Sequence, residues 1–138
     1  MHPKHHAQTT PNKPAFIMAA SGETVTYKEL DERSNQGAHL FRSLGIGPGD
    51  SIAIFMDNTA RYFEVLWAAQ RSGIRFTAIS SKLTAGEVEY IVKDCEAKAL
   101  IVSTGGFVGD VAKQVAPLVP GVKLFVTGGA LEGYQSFE

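Results

Sequence analysis

Two periods of hydrophobic spacing alternate along this chain: short apolar runs suited to strands, and three- and four-residue steps suited to helices. "AFIM" (15–18) and "ETVTY" (23–27) flank Ser21-Gly22, a pair of short runs across a turn signal that predicts a hairpin. Thr26 opens "TYKE", where its hydroxyl can accept from the Glu29 amide while the Glu29 carboxylate reaches back to the Thr26 amide. Leu30, Ser34, Gly37, Phe41 and Leu44 then recur at helical steps, so a narrow stripe of this helix faces inward, with Ser34 and Gly37 permitting close approach. Gly45 can take positive φ after the last turn, and "GIGPGD" makes a rigid turn into the next element.

"SIAIFM" (51–56) is too apolar for a sheet with one wet face and predicts a central parallel strand. A helix over 59–71 carries Phe63, Leu66, Trp67 and Gln70 at helical spacing and ends at Gly73. "FTAI" (76–79) is the next strand. "TAGE" (84–87) repeats the reciprocal capping pattern before a helix with Val88, Ile91, Val92 and Cys95 inward, which makes the thiol a core group. "KALIVS" (98–103), a helix over 108–118 and "KLFVT" (123–127) follow, and after Gly128-Gly129 the tail "ALEGYQSFE" is polar and without period. Repeated strand and helix alternation predicts an α/β fold: an open, mainly parallel sheet with right-handed crossovers and helices on both faces. Residues 1–14 read as an N-terminal arm and 15–138 as the α/β unit.

Composition changes this picture little. The 138 residues are 44% hydrophobic and 20% charged, ordinary for a soluble domain. A formal net charge of -1 gives no basic footprint for nucleic acid or an anionic membrane. No run approaches the roughly 18 apolar residues of a membrane span, and "MHPKHHAQTTPNKPAF" lacks a signal-peptide core, so the cytoplasm is expected. The lone Cys95 fits a reducing compartment. His2, His5 and His6 have no acidic or thiol partner nearby and read as part of a frayed polar arm rather than a metal site.

Candidate chemistry is sparse. There is no Gly-x-x-x-x-Gly-Lys-Ser/Thr loop, no Gly-x-Gly-x-x-Gly after the first sheet strand, and no Ser, His and Asp at triad spacing. His39 reads as a packed or surface imidazole rather than a base. Asp57-Asn58 follow "SIAIFM" at the strand end where open sheets bind ligands, although helix capping by Asp57, Asn58 and Thr59 explains the same residues. Arg61, Arg71, Arg75 and Lys82 are scattered and read as a solvated surface. "IVSTGGFVGD" (101–110) looks like a phosphate loop, but Phe107-Val108 stand where small polar residues would be needed. Its glycines more simply make a turn into a helix, with Asp110 in the first turn and Lys113 as the nearby cation.

"HAQTTPNKPAFI", "VTYKELDERSNQGAHLFRSLGIGPGDSIAIFMDN" and "FEVLWAAQRSGIRFTAISSKLTAGEVEYIVKDCEAKALI", in that order, resemble the N-terminal region of AMP-forming acyl-CoA synthetases, the adenylate-forming superfamily. The resemblance spans about residues 6–138. It departs from the family at Gly73-Ile74 and Ser80-Ser81, where relatives often carry Gly-Ala and Asn-Pro.

The resemblance implies the N-terminal subdomain of the adenylate-forming ligase fold and a two-step reaction. A carboxylic acid, fatty or aryl, is activated by ATP with Mg2+ as an acyl-adenylate, then transferred to CoA. The family's Ser/Thr/Gly-rich loop ending in Pro-Lys-Gly, its adenine and ribose contacts and its C-terminal lysine are not in these 138 residues. The chain is therefore expected to be an inactive N-terminal fragment that binds none of these ligands tightly. It is expected to self-associate through the surface left open by the missing domain. By the same resemblance Ser80, Ser81 and Lys82 lie near the mouth of the CoA channel, with hydroxyls and an ammonium suited to phosphate oxygens. No catalytic or metal-ligating residue is expected. A stand-alone flavodoxin-like, receiver-like or interaction module remains the alternative, although "PAFIMAASGE" lacks clustered acids and "FMDNTARY" lacks a Ser/Thr/Gly loop.

Overall fold

The structure is a computed structural model that describes residues 2–138. The elements run α1 (Pro3–Thr9), β1 (Pro14–Ile17), β2 (Thr24–Thr26), α2 (Tyr27–Ser43), β3 (Ser51–Phe55), α3 (Ala60–Arg71), β4 (Arg75–Ala78), α4 (Ala85–Asp94), β5 (Ala97–Ser103), α5 (Gly106–Val115), β6 (Lys123–Thr127) and β7 (Gln135–Ser136). A 3-10 turn, Ala116–Leu118, extends α5. Strands β1 and β2 form the expected antiparallel hairpin, and the other five make a parallel sheet in the order β4-β3-β5-β6-β7.

All five residues of β3 are buried because both faces of the sheet are covered. Ile52 and Ile54 pack with Phe41 of α2 and Val65, Ala68 and Ala69 of α3. Ala53 and Phe55 pack on the other face with Val88 and Val92 of α4 and Val108, Val111 and Val115 of α5. The helix starts obey their capping chemistry. The Glu29 amide donates to Thr26 Oγ1 at 3.2 Å, and the Thr26 amide donates to Glu29 Oε2 at 2.9 Å. At α4 the Glu87 carboxylate accepts from both the amide and the hydroxyl of Thr84. Val88 and Val92 are buried as expected, whereas Cys95 is only half-buried, its thiol donating to the Val92 carbonyl.

Three expectations change. In α3 the residues against the sheet are Val65, Ala68 and Ala69, while Phe63 and Gln70 face outward. Small residues win this face because α2 crosses closely: a Cβ on Gly37 would lie 2.8 Å from that of Ala68. The larger Phe63 and Trp67 instead cover the hairpin corner, Phe63 against Phe16 at 4.9 Å.

The polar tail is ordered as β7, too short to show a period. It is anchored on either side by Tyr134, whose hydroxyl donates to the Ala112 carbonyl at 2.7 Å, and by Phe137 between Phe41 and Phe125. Burial pushes the Tyr134 phenol up to about 12.

The frayed arm is instead helix α1, docked on the α2–α3 corner with Pro3 buried. Its N-cap is His2, whose Nδ1 accepts from the Lys4 amide at 3.0 Å while the ring stands edge-on to Trp67 at 5.1 Å. An imidazole cap lies outside the usual Ser, Thr, Asp or Asn signal, which is why the sequence concealed it. No helix is long and apolar enough to cross a membrane among the described residues.

His2 links pH to stability. Burial, followed by the Arg71 and Lys4 charges, lowers its pKa below the ordinary 6.5, against the opposing pull of Asp31. The unfolded chain therefore binds more protons at His2 once pH falls below 6.5, so this contribution is complete above that value and is lost as pH falls through the lowered folded pKa. Urea titrations followed by the single tryptophan, Trp67, should show a stability loss between about pH 7.5 and about pH 5 that is smaller in His2→Gln. An equal loss in both proteins would remove His2 from the account.

Candidate functional site

The carboxyl ends of β3 and β5 are neighbours, but the helices leaving them depart to opposite faces, α3 to one and α5 to the other. This reversal is a topological switch point, the place at which open α/β sheets bind ligands. Asp57-Asn58 flank it from β3, and Ser103-Thr104-Gly105 from β5.

One side chain joins the two strand ends. The buried Ser103 hydroxyl accepts from the Asp57 amide at 2.9 Å and donates to Asp57 Oδ2 at 3.2 Å. A Cβ at Gly105 would collide with the same carboxylate, and one at Gly109 would lie 2.7 Å from the Thr104 carbonyl. The Thr104 hydroxyl donates to the Gly128 carbonyl at 3.3 Å, and the Thr127 hydroxyl to that of Val102 at 3.5 Å. The Gly128 amide donates to Glu138 Oε1 at 3.1 Å. Both hydroxyls of "STGG" are thus committed within the protein, and Gly105 lets the loop pass Asp57.

This geometry revises the expected α3 cap. Asp57 turns to Ser103, and Thr59, the N-cap residue, makes no side-chain cap bond; its buried Oγ1 has no partner. Helix α5 begins at Gly106 rather than 108, which moves exposed Asp110 beyond the first turn and puts Lys113 in the last turn, away from the loop. The Asp57–Ser103 pair escaped sequence reasoning because its members are 46 residues apart, although both stand at the carboxyl ends of apolar strands.

Ser80, Ser81 and Lys82 lie in the turn after β4, closed by the Leu83 amide donating to the Ser80 carbonyl at 3.2 Å. Ser80 and Lys82 are exposed and Ser81 is half-buried. Because β4 flanks β3 on the side away from β5, this turn shares the sheet end but not the switch point.

Of the residues expected on a solvated surface, Arg61 and Arg71 are partly buried in ion pairs, whereas Arg75 and Lys82 are exposed. Arg61 and Arg33 both pair with Glu64, a carboxylate on a residue only 5% exposed. Arg71 pairs with Asp31 at 3.2 Å and donates to Ser34 Oγ at 2.9 Å; Arg75 donates to the Gly49 carbonyl at 2.8 Å. Lys82 makes no ion pair among the described residues. His39 is exposed, and no cluster of three or more metal-ligating side chains forms among the described residues.

Family comparison decides what scaffold this is. The family described as AMP-binding enzyme matches residues 3–132. The chain belongs to this family of AMP-binding enzymes. It is 35% identical over 95 residues to the fatty acid–[acyl-carrier-protein] ligase ScoC of Streptomyces coeruleorubidus, covering 69% of this chain and 18% of that protein. It is 30% identical over 123 residues to the 3-oxocholest-4-en-26-oate–CoA ligase of Rhodococcus rhodochrous, covering 89% of this chain and 21% of that protein. The apo structure of MbtA from Mycobacterium smegmatis superposes with a TM-score of 0.81 at 28% identity, over 98% of this chain and 25% of that one. This chain thus spans about a fifth to a quarter of the length of these relatives, and the α/β fold is that of adenylate-forming ligase domains.

Replacing Ser103 by Ala leaves the Asp57 amide and carboxylate without their partner. The expected cost is about 1–3 kcal/mol, read as a lower urea midpoint at unchanged m. An unchanged midpoint would show that the pair does not hold the two strand ends together.

Proposed function

We propose that this chain is the first part of the scaffold of an ATP-dependent acid–thiol ligase that activates a carboxylic acid, fatty or aryl, and passes the acyl group to CoA. The observation that carries this reading is the family match across residues 3–132, joined by acid–thiol ligases among the relatives. In such a reaction a carboxylate oxygen attacks the α-phosphorus of ATP and pyrophosphate leaves. The thiol sulfur then attacks the acyl carbon and AMP leaves. A cytoplasmic setting accords with the free Cys95.

The residues described here do not fit ATP and Mg2+ as a complete site. At the switch point the Asp57 carboxylate is already engaged by Ser103, the Glu138 carboxylate accepts from the Gly128 amide, and the loop hydroxyls are committed to the protein. A triphosphate and its metal ion need several cations and free oxygen ligands together. The chain's own part is therefore scaffolding: β3 and β5 fix the sheet end, and the Asp57–Ser103 pair holds the two loops in register. On this reading the chain alone does not adenylate.

Two measurements test this. The purified chain should give no ATP–pyrophosphate exchange with fatty or aryl acids, whereas the locus read past the Glu138 codon should encode a Ser/Thr/Gly-rich loop ending in Pro-Lys-Gly. Exchange by the isolated chain would overturn the placement of the active site, and a stop codon with no such loop would overturn the ligase reading.

For the turn after β4, the Lys82 ammonium and the Ser80 and Ser81 hydroxyls suit the phosphate oxygens of CoA. Lys82→Glu in the complete ligase should raise KM for CoA several-fold with acid-dependent exchange unchanged. An unchanged KM would remove this turn from CoA binding.

A further inference from the structure

We propose that the free edge of β4 pairs with the same edge of a second copy of this chain, joining two five-stranded sheets about a twofold axis at Thr77. The Arg75 amide donates to the Asp50 carbonyl at 2.9 Å and the Ile79 amide to that of Ile54 at 2.8 Å. In a parallel ladder this alternation turns Thr77 inward as well, so the amides and carbonyls of Phe76 and Ala78 point away from the sheet. Antiparallel pairing about Thr77 sets Phe76 against the partner's Ala78 and Ala78 against the partner's Phe76. Each pair exchanges two hydrogen bonds, four in all, and the two Thr77 side chains meet at the close, non-bonded position.

The edge carries few of the devices that normally block such pairing. Its register with β3 is regular, without a bulge, and the strand contains no proline. Its one charged residue, Arg75, has its guanidinium folded back onto the Gly49 carbonyl. The opposite edge, β7, is only two residues long. Beside β4 lies an open groove of about 790 Å³ lined by Phe76, Thr77, Asp94 and Glu96, and Asp94 also borders the groove on α4 that holds Tyr90. Tyr90 is 69% exposed, the most exposed large hydrophobic residue among those described.

Charge selects a second copy over an unrelated strand. The acidic Asp94 and Glu96, at the end of α4, flank the amino end of β4, whereas the unpaired Lys82 follows its carboxyl end. A twofold axis through Thr77 brings the partner's Lys82 towards Asp94 and Glu96, and by symmetry makes the same approach twice.

Sedimentation velocity of the 138-residue chain from micromolar to millimolar concentration tests this. A concentration-dependent monomer–dimer equilibrium is expected. Ala78→Pro, which removes an outward amide, should raise the dimer Kd at least about tenfold with the circular dichroism spectrum unchanged. Glu96→Lys should raise Kd several-fold, and combining it with Lys82→Glu should restore it. The second pair of variants changes only exposed side chains, so it decides the matter even if the proline variant misfolds. A monomer at every concentration, a dimer indifferent to Glu96→Lys, or a charge exchange that fails to restore association would overturn the proposal.

Discussion

Burial of β3 and β5 on both faces is the constraint from which the rest of this architecture follows. A strand covered above and below has no water for its amides and carbonyls, so neighbouring strands must satisfy them. Parallel neighbours require crossovers, and right-handed crossovers place α3 over one face and α4 and α5 over the other. The reversal between β3 and β5 then makes a topological switch point at their carboxyl ends. The two strand ends are joined because Ser103 is short enough to stay buried while satisfying both the amide and the carboxylate of Asp57.

Charge performs a second structural task. Glu64 projects from α3 into the α2–α3 contact, where an unpaired carboxylate would cost several kcal/mol, and Arg33 and Arg61 both compensate it. Arg71 similarly links α3 to Asp31 and Ser34 of α2. Exposed ion pairs contribute at most about 1 kcal/mol each. The value of these partly buried pairs lies in fixing how two helices with small facing residues, Gly37 and Ala68, lie against each other.

The glycine-rich loop after β5 shows how one sequence feature admits two chemical meanings. Ser, Thr and Gly next to a helix start are the ingredients of a phosphate cradle. Here each hydroxyl has an internal partner, and Gly105 and Gly109 are required by close approach to Asp57 and to the Thr104 carbonyl. The loop is scaffold in this member of the AMP-binding enzyme family. Residue types are visible in a sequence, but whether their hydrogen-bonding capacity is already used is a property of the fold.

The sequence by itself determined the strand and helix order, the parallel sheet, the capping box at Thr26, the inward stripe of α2 and the family, because these rest on local periodicity, on hydrogen bonds spanning three residues and on motif order. Tertiary structure alone decided the Asp57–Ser103 pair, the turning of small residues rather than aromatics of α3 toward the sheet, the ion pairs of the arginines, and the ordering of both ends through His2 on Trp67 and Phe137 between Phe41 and Phe125. Each joins residues far apart in the chain, and none leaves a local periodic mark. Their free energy comes from burial and pairing that exist only after the sheet has assembled.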